Sequence, residues 1–263
     1  MKLLRKILVK ILGLKGYLKW VSRTYIRMIR AGKMKEKYAE LYFVQKILKP
    51  GDVAVDIGAN LAYYSYFMAK AIGQQGKLIA VEPIPLFAEI WKKNMKKWMG
   101  DPIQLHNCAL GATPQDQVKM SIPIVDGVVR HGLTAVDDNS KNNHEAMLSF
   151  EVPMKRGDDL IQAEKLDHLD FIKCDVEGYE QYVLPSLNQT IEQFKPLLQI
   201  ELGGNENREN VVDYLLKKRY NIFILKEELL IPIQKNDIFS VNQDFYFIHS
   251  DKMAENQHLI REK

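Results

Sequence analysis

The chain has 263 residues, 46 % of them hydrophobic and 27 % charged, which suits one large α/β core with an N-terminal appendage and requires no second catalytic domain. Its two cysteines, Cys108 and Cys174, lie in apolar stretches. With no CxxC, His-Cys cluster or HExxH, neither a disulfide framework nor a structural zinc site is supported, and a reducing cytoplasm fits. The net charge of +4 hides an asymmetry: eleven of the 37 Lys and Arg fall in residues 1–35, which hold no Asp or Glu, leaving 26 against all 33 acids in the rest.

That basic segment reads as two short amphipathic helices. Leu4, Ile7, Leu8 and Ile11 share a face opposite Lys2, Lys6 and Lys10. After a break at Gly13 and Gly16, Leu18, Val21, Tyr25 and Met28 form a second stripe opposite Lys19, Arg23, Arg27 and Arg30. Lys10, Lys15 and Lys19 interrupt every apolar run and no small-residue cleavage site follows, so a signal peptide or a spanning helix of ~18 apolar residues is not expected. Two uses stay open: the helices pack on the domain, or residues 1–30, the first twelve above all, lie on an anionic membrane surface at its inner face. Nucleic acid is disfavoured, because no Gly-aromatic or zinc-finger spacing is present.

Residues 38–49 predict a helix, and Pro50-Gly51 a turn into the first strand. Strands at 53–56, 77–82 and 103–109 then alternate with helices at 61–72 and 85–98, the βαβ rhythm of an open parallel sheet. The middle departs from it. Val118, Met120, Ile122 and Ile124 alternate with polar residues or Pro123, and Leu148, Phe150, Val152 and Met154 do the same around Pro153, which predicts two antiparallel strands at a sheet edge. Residues 125–147 between them are polar and read as a substrate lid. The alternation resumes with strands at 169–175, 197–202, 221–225 and 245–249 and helices at 179–188 and 207–219. The expected divisions are a basic appendage (1–37), a catalytic domain (38–250) and a polar tail (251–263).

The run Val53-Ala-Val-Asp-Ile-Gly-Ala-Asn60 ends a buried strand in a tight turn, and Leu78-Ile-Ala-Val-Glu-Pro83 ends a second strand in an acid. Together they read as a nucleoside site. Glu82 is placed for two ribose hydroxyls. The stretch Gly58-Ala-Asn60-Leu-Ala-Tyr63 lacks the second and third glycines of a dinucleotide fold, and Asp56 at its mouth would repel a pyrophosphate while suiting an ammonium and a sulfonium. S-adenosylmethionine (SAM) carries both.

Six blocks in order, Asp-Ile-Gly-Ala-Asn (56–60), Val81-Glu-Pro83, Ala109-Leu-Gly111, Arg156-Gly-Asp-Asp-Leu160, Ile172-Lys-Cys-Asp-Val-Glu-Gly178 and Leu198-Gln-Ile-Glu-Leu202, resemble the FkbM family of SAM-dependent methyltransferases over residues 38 to 250. Ala62 stands where that family usually has a second glycine, and Ala112 where an acid is common. The resemblance implies a Rossmann-like class I methyltransferase: an α/β fold with a mostly parallel seven-stranded sheet in the order 3-2-1-4-5-7-6, flanked by helices, with an edge β-hairpin insertion. It also implies a sugar, glycan, glycolipid or polyketide-like hydroxyl as acceptor.

Cofactor contacts are expected from Asp56, Gly58, Ala59, Asn60, Ser65, Glu82, Pro83 and Ala109. Methyl transfer is an in-line displacement that needs alignment and a route for the acceptor proton. Asp175 and Glu177 are the candidate bases, with His131 in the lid as another. A metal-free site is favoured over Mg²⁺ held by Asp175, Glu177 and Glu201. His106 and His168 read as structural, and Asp158 and Asp159 as the cap of a short helix. Two other classes share parts of the pattern: an NAD-dependent oxidoreductase, lacking a Tyr-x-x-x-Lys relay here, and a non-enzymatic membrane-associated nucleoside-binding module.

Overall fold

A computed structural model describes residues 2–99, 104–125, 128–129, 135–136 and 146–261, with the backbone alone at 2–4, 125, 128–129, 135–136 and 146. In chain order the elements are α1 (Lys2–Arg30), α2 (Ala39–Ile47), β1 (Val53–Ile57), α3 (Tyr63–Ile72), β2 (Lys77–Val81), α4 (Pro85–Met99), β3 (Gln104–His106) and β4 (Ala109–Leu110). Then come β5 (Gln115–Val125), β6 (Val128–Val129), β7 (Ala135–Val136), β8 (Ala146–Lys155), α5 (Gly157–Ala163), β9 (Phe171–Cys174), α6 (Glu180–Ser186) and α7 (Asn188–Phe194). The chain closes with β10 (Leu197–Ile200), α8 (Asn205–Lys217), β11 (Tyr220–Lys226), β12 (Leu229–Pro232) and β13 (Phe245–His249).

The main sheet runs β12-β11-β13-β10-β9-β1-β2-β3. β3, β2, β1, β9 and β10 pair in parallel and β13, β11 and β12 antiparallel, so the expected order 3-2-1-4-5-7-6 holds with an eighth strand, β12, added at the edge. Every residue of β1, β9 and β10 is buried, as strands covered on both faces require. The chain order reverses between β1 and β9, which opens the ligand crevice at their carboxyl ends.

The strand expected over 103–109 is two strands in different sheets. Asn107 Nδ2 donates to the carbonyls of Glu82 and Pro83 at 2.7 and 2.8 Å and holds the bend between β3 and β4. β4 then joins a second sheet, β4-β8-β5-β6, with β7 on β5. The antiparallel pairing of the two proline-bearing strands is present, with Val118 opposite Val152, Met120 opposite Phe150 and Ile122 opposite Leu148. The hairpin does not extend the main sheet. β5 bulges between Gln115 and Val118, across from the stretch holding Pro153, whose missing N–H leaves a ladder position unfilled. Of the expected lid, residues 126–127, 130–134 and 137–145 lie outside the described residues.

The expected break is present at Gly13 (φ 66°, ψ 166°), where α1 kinks between two helical parts, while Gly16 stays helical. The second half of α1 is no appendage. Leu18, Ser22, Ile26 and Ile29 are buried, whereas Met28, expected on the apolar stripe, is exposed. Ser22 takes the inner position because its hydroxyl is satisfied: it donates to the Lys19 carbonyl and accepts from Asn94 Nδ2 at 2.8 Å. Tyr17 and Leu18 share one cluster with Phe87 and Ile90 of α4 and Met120, Ile122 and Val152 of the second sheet. The segment after residue 250 also packs back: Leu259 is buried, and Ile260 bridges Leu230 of β12.

Candidate active site

The carboxyl ends of β1, β2 and β9 meet at one turn. Gly58 has φ +82°, and a Cβ there would lie 1.9 Å from the Asp175 carbonyl oxygen, so only glycine lets the β1 turn abut β9. The Gly58 and Ala59 N–H groups donate to the Val81 carbonyl at 2.9 and 3.0 Å, fastening the turn to β2. Asn60 and Ala62 follow at φ 46° and 77°; Ala62, in the family's glycine position, adopts the glycine conformation.

Glu82 is 4 % exposed. Its Oε2 accepts the Asn60 N–H and its Oε1 the Ile84 N–H, both at 2.8 Å. Each oxygen keeps a second acceptor position, so the carboxylate is aimed by the backbone and has capacity for two further hydroxyl donors. Burial pushes Glu82 up to about 7, against the pull of those two amides. Pro83 and Ala109 line a narrow apolar slot of about 30 Å³ with Cys108, Met120, Tyr179 and Val183.

Asp56 is buried, and burial raises its carboxyl against Lys173 and Ser65, which lower it. The Ser65 hydroxyl donates to Asp56 and accepts from Trp91 Nε1 at 2.7 Å. The one donor of Ser65 is therefore spent inside the protein; expected to contact the cofactor, Ser65 sits behind Asp56 and orients it. Across the sheet Asp56, Lys173, Gln199 and Tyr246 stand in register on adjacent strands, a polar row through an apolar core. Lys173 Nζ lies 2.9 Å from Asp175 Oδ2 and 4.3 Å from the Tyr64 ring centroid. Burial opposes its charge, but Asp175, Asp244 and Asp56 outweigh that and hold the ammonium above its ordinary value. Burial likewise lifts Asp244 to about 6. Three carboxyls around one ammonium favour a cationic ligand at this floor.

Asp175 and Glu177, both expected as candidate bases, face different spaces. The Asp175 side chain is 26 % exposed and lines a cavity of about 710 Å³ together with Asp56, Gly58, Ala59, Asn60, Tyr63, Tyr64 and Lys173. Glu177, at φ 54°, lines a separate cavity of about 430 Å³ with Glu201, Asn205 and Glu206. Burial and the neighbouring Asp175 and Glu180 push Glu177 up to about 7, and Asp175 foremost raises Glu201. Among the described residues no three His, Cys, Asp or Glu side chains are grouped to hold a metal ion. His131 lies outside the described residues.

Several site residues were not anticipated. Glu180 is buried and accepts the Val176 and Gly178 N–H groups at 2.9 and 3.3 Å and Asn207 Nδ2 at 2.6 Å, which shapes the Asp175–Gly178 loop. Its signal was an acid in the first turn of the following helix. Lys173 was visible as a charge inside an apolar strand. Asn94 Nδ2 donates to the Leu61 carbonyl at 3.0 Å and to Ser22, and its Oδ1 accepts from Arg23 Nε at 3.2 Å, tying α1 to the cofactor turn. Asp158 caps, but not its own helix: it accepts the Gln189 and Thr190 N–H groups at 3.1 and 2.9 Å at the start of α7.

A family model described as the methyltransferase FkbM domain matches residues 56–226. The chain belongs to the FkbM methyltransferase family. Among solved structures this FkbM-family chain is similar to the methyltransferase FkbM from Methylobacillus flagellatus KT, at 16 % identity and TM-score 0.48, over 80 % of this chain and 50 % of that one. It is also similar to an O-methyltransferase from Bacillus cereus solved in complex with SAH, at 9 % identity and TM-score 0.48, over 93 % and 95 %. A protein-L-isoaspartate O-methyltransferase of Caenorhabditis elegans is 29 % identical over 69 residues, 26 % of this chain and 31 % of that protein. The chain thus spans about half the length of the Methylobacillus structure and about a third of the worm protein. The family is one of SAM-dependent methyltransferases. The residues in hand fit that donor: a backbone-aimed acid with spare acceptor capacity, an apolar slot beyond it and a carboxyl-rich floor.

Proposed function

We propose that the FkbM-family chain transfers the methyl group of SAM to a hydroxyl oxygen of a sugar, glycan, glycolipid or polyketide-like acceptor. The observation that carries this reading is the shared cavity, where the cofactor turn and the Asp175 carboxylate meet. SAM, when bound, supplies a methyl carbon already activated by sulfonium. The chain then has two tasks: to hold the reactants in line and to receive the hydroxyl proton. Glu82 takes the ribose, Pro83 and Ala109 the adenine, and Asp56 with Gly58–Asn60 the methionine end. Asp175, held through Oδ2 by Lys173 at 2.9 Å, is the group positioned to take the proton.

Glu82 provides the test. Its ionised form accepts both ribose hydroxyls, so SAM affinity measured by calorimetry should rise between pH 6 and pH 8, through its value of about 7. Stability moves oppositely. The folded carboxyl keeps a proton that an unfolded glutamate loses above its ordinary 4.5, so its contribution is present at low pH and lost as pH rises through about 7. Glu82→Gln should weaken SAM about tenfold, ~1.4 kcal/mol, and flatten the pH profile. Unchanged affinity in this variant would remove Glu82 from the ribose.

Residues 1–12 support a place on an anionic membrane surface: Ile7, Ile11 and Leu12 are exposed beside Lys6 and Lys10. Among the described residues no helix is long and apolar enough to cross a membrane. Sedimentation with phosphatidylserine-containing vesicles should capture the wild type and lose Ile7→Ser/Ile11→Ser; equal capture of both dismisses the membrane role.

A further inference from the structure

One wall of the 710 Å³ cavity has a chemistry that the methyl donor does not call for. The cavity that Asp56 and Asp175 line is also lined by Arg5, Leu8, Tyr17, Trp20, Val21 and Tyr25, all from α1. Tyr63 completes this wall from the cofactor side, 6.1 Å from Tyr25 between ring centroids, with Arg5, Tyr17 and Tyr38 also close to its hydroxyl. Burial, foremost, raises the Tyr63 hydroxyl well above its ordinary value, so it stays a neutral hydrogen-bonding group.

Arg5 is the unusual member. Its guanidinium carbon lies 5.7 Å from the Tyr17 ring centroid, over an aromatic face. Its Nε is buried and meets no acceptor among the described residues. Three other cations have polar partners: Lys15 pairs with Glu89 at 2.5 Å, Arg23 donates to Asn94, and Lys173 pairs with Asp175, while Lys37 stands over the Tyr25 and Tyr38 rings at 6.0 and 5.3 Å. A buried guanidinium donor is costly to leave without an acceptor, and its fork matches carboxylate or phosphate. The carboxylates of the cavity, Asp56 and Asp175, are already engaged by Ser65 and Lys173.

We infer that the α1 wall is the acceptor site and that the acceptor carries an anionic group, a carboxylate or a phosphate, which Arg5 recognises while its ring lies against Tyr17, Trp20 and Tyr25. The inference rests on the methyltransferase reading for what happens at the opposite wall, but it makes a binding claim of its own. It gives the N-terminal helix a role in selectivity, through side chains that no cofactor contact requires.

Three probes separate the possibilities: phenyl β-D-glucuronide, phenyl phosphate and the neutral phenyl β-D-glucopyranoside. Their binding is followed by ligand-observed NMR titration of the full chain with S-adenosylhomocysteine present. At least one of the two anionic probes should bind at least tenfold tighter than the glucopyranoside; which one does so distinguishes carboxylate from phosphate. Arg5→Gln should abolish that preference while leaving the affinities for the glucopyranoside and for S-adenosylhomocysteine unchanged, and Arg5→Lys should keep part of it. Trp20→Ala should weaken all three probes alike. Equal binding of charged and neutral probes by the wild type overturns the proposal. So does a loss of S-adenosylhomocysteine affinity in Arg5→Gln, which would assign the guanidinium to the cofactor's own carboxylate. Absence of S-adenosylhomocysteine binding, with the anionic preference intact, refutes the methyltransferase reading alone.

Discussion

The two walls of the cavity are built by different rules. The cofactor wall is made of backbone: strand ends in register, alternate residues at positive φ, and amides that aim one carboxylate. The opposite wall is made of side chains on a helix whose position is set by Asn94 and by a cluster shared with α4 and the second sheet. The first depends on local chain geometry within a few residues; the second depends on where distant segments land. A substitution in the first should therefore disturb folding and cofactor together, while one in the second should disturb the acceptor alone.

The largest expected effect tests the backbone wall. Gly58→Ala places a methyl group 1.9 Å from the Asp175 carbonyl and should cost about 3 kcal/mol or more in denaturant unfolding. Gly178→Ala, at φ +94° but with nothing within 4 Å of a Cβ, should cost clearly less; equal losses would show that dihedral strain rather than the abutting strands sets the requirement. Next comes the tie between the walls. Asn94→Ala removes the donor to Ser22 and Leu61 and should destabilise by about 2 kcal/mol while raising the acceptor KM more than the SAM Kd. If both constants rise together, the two walls are one unit and the contrast fails. The smallest change expected is a gain: Ala62→Gly relieves a left-handed alanine and should add about 0.5 kcal/mol in thermal unfolding. A loss there would mean that the buried methyl contributes more than the strain it imposes.

The same contrast explains what was legible in the sequence. Asp56-x-Gly58 and Glu82 announced themselves because their spacing follows from strand, turn and helix lengths, and the order of the main sheet followed the six blocks. Ser65 was misplaced because sequence spacing put it near the turn, while only the fold shows that its hydroxyl is spent between Asp56 and Trp91. Glu177 was grouped with Asp175 by adjacency, yet its left-handed backbone points it into another cavity. The apolar stripe of α1 was legible as a helix but not as a wall: periodicity gives a face, and the partner of that face is a tertiary fact. Arg5 carried no motif at all. Its significance comes from lacking an acceptor in a place that only the packed chain defines.

Gly13 turns the first part of α1 into a lever. It is the one non-helical residue within α1, and a Cβ there would meet nothing within 4 Å. Arg5 stands eight residues away, roughly 12 Å along the axis at 1.5 Å per residue. A rotation of about 10° at that single pivot displaces the guanidinium by about 2 Å, while Leu18 and Ile26 remain anchored in the core. Leu8 and Val9 pack on the α4 and second-sheet cluster from the near side of that pivot, so the cavity is shaped by their contacts as well as by the Gly13 torsion.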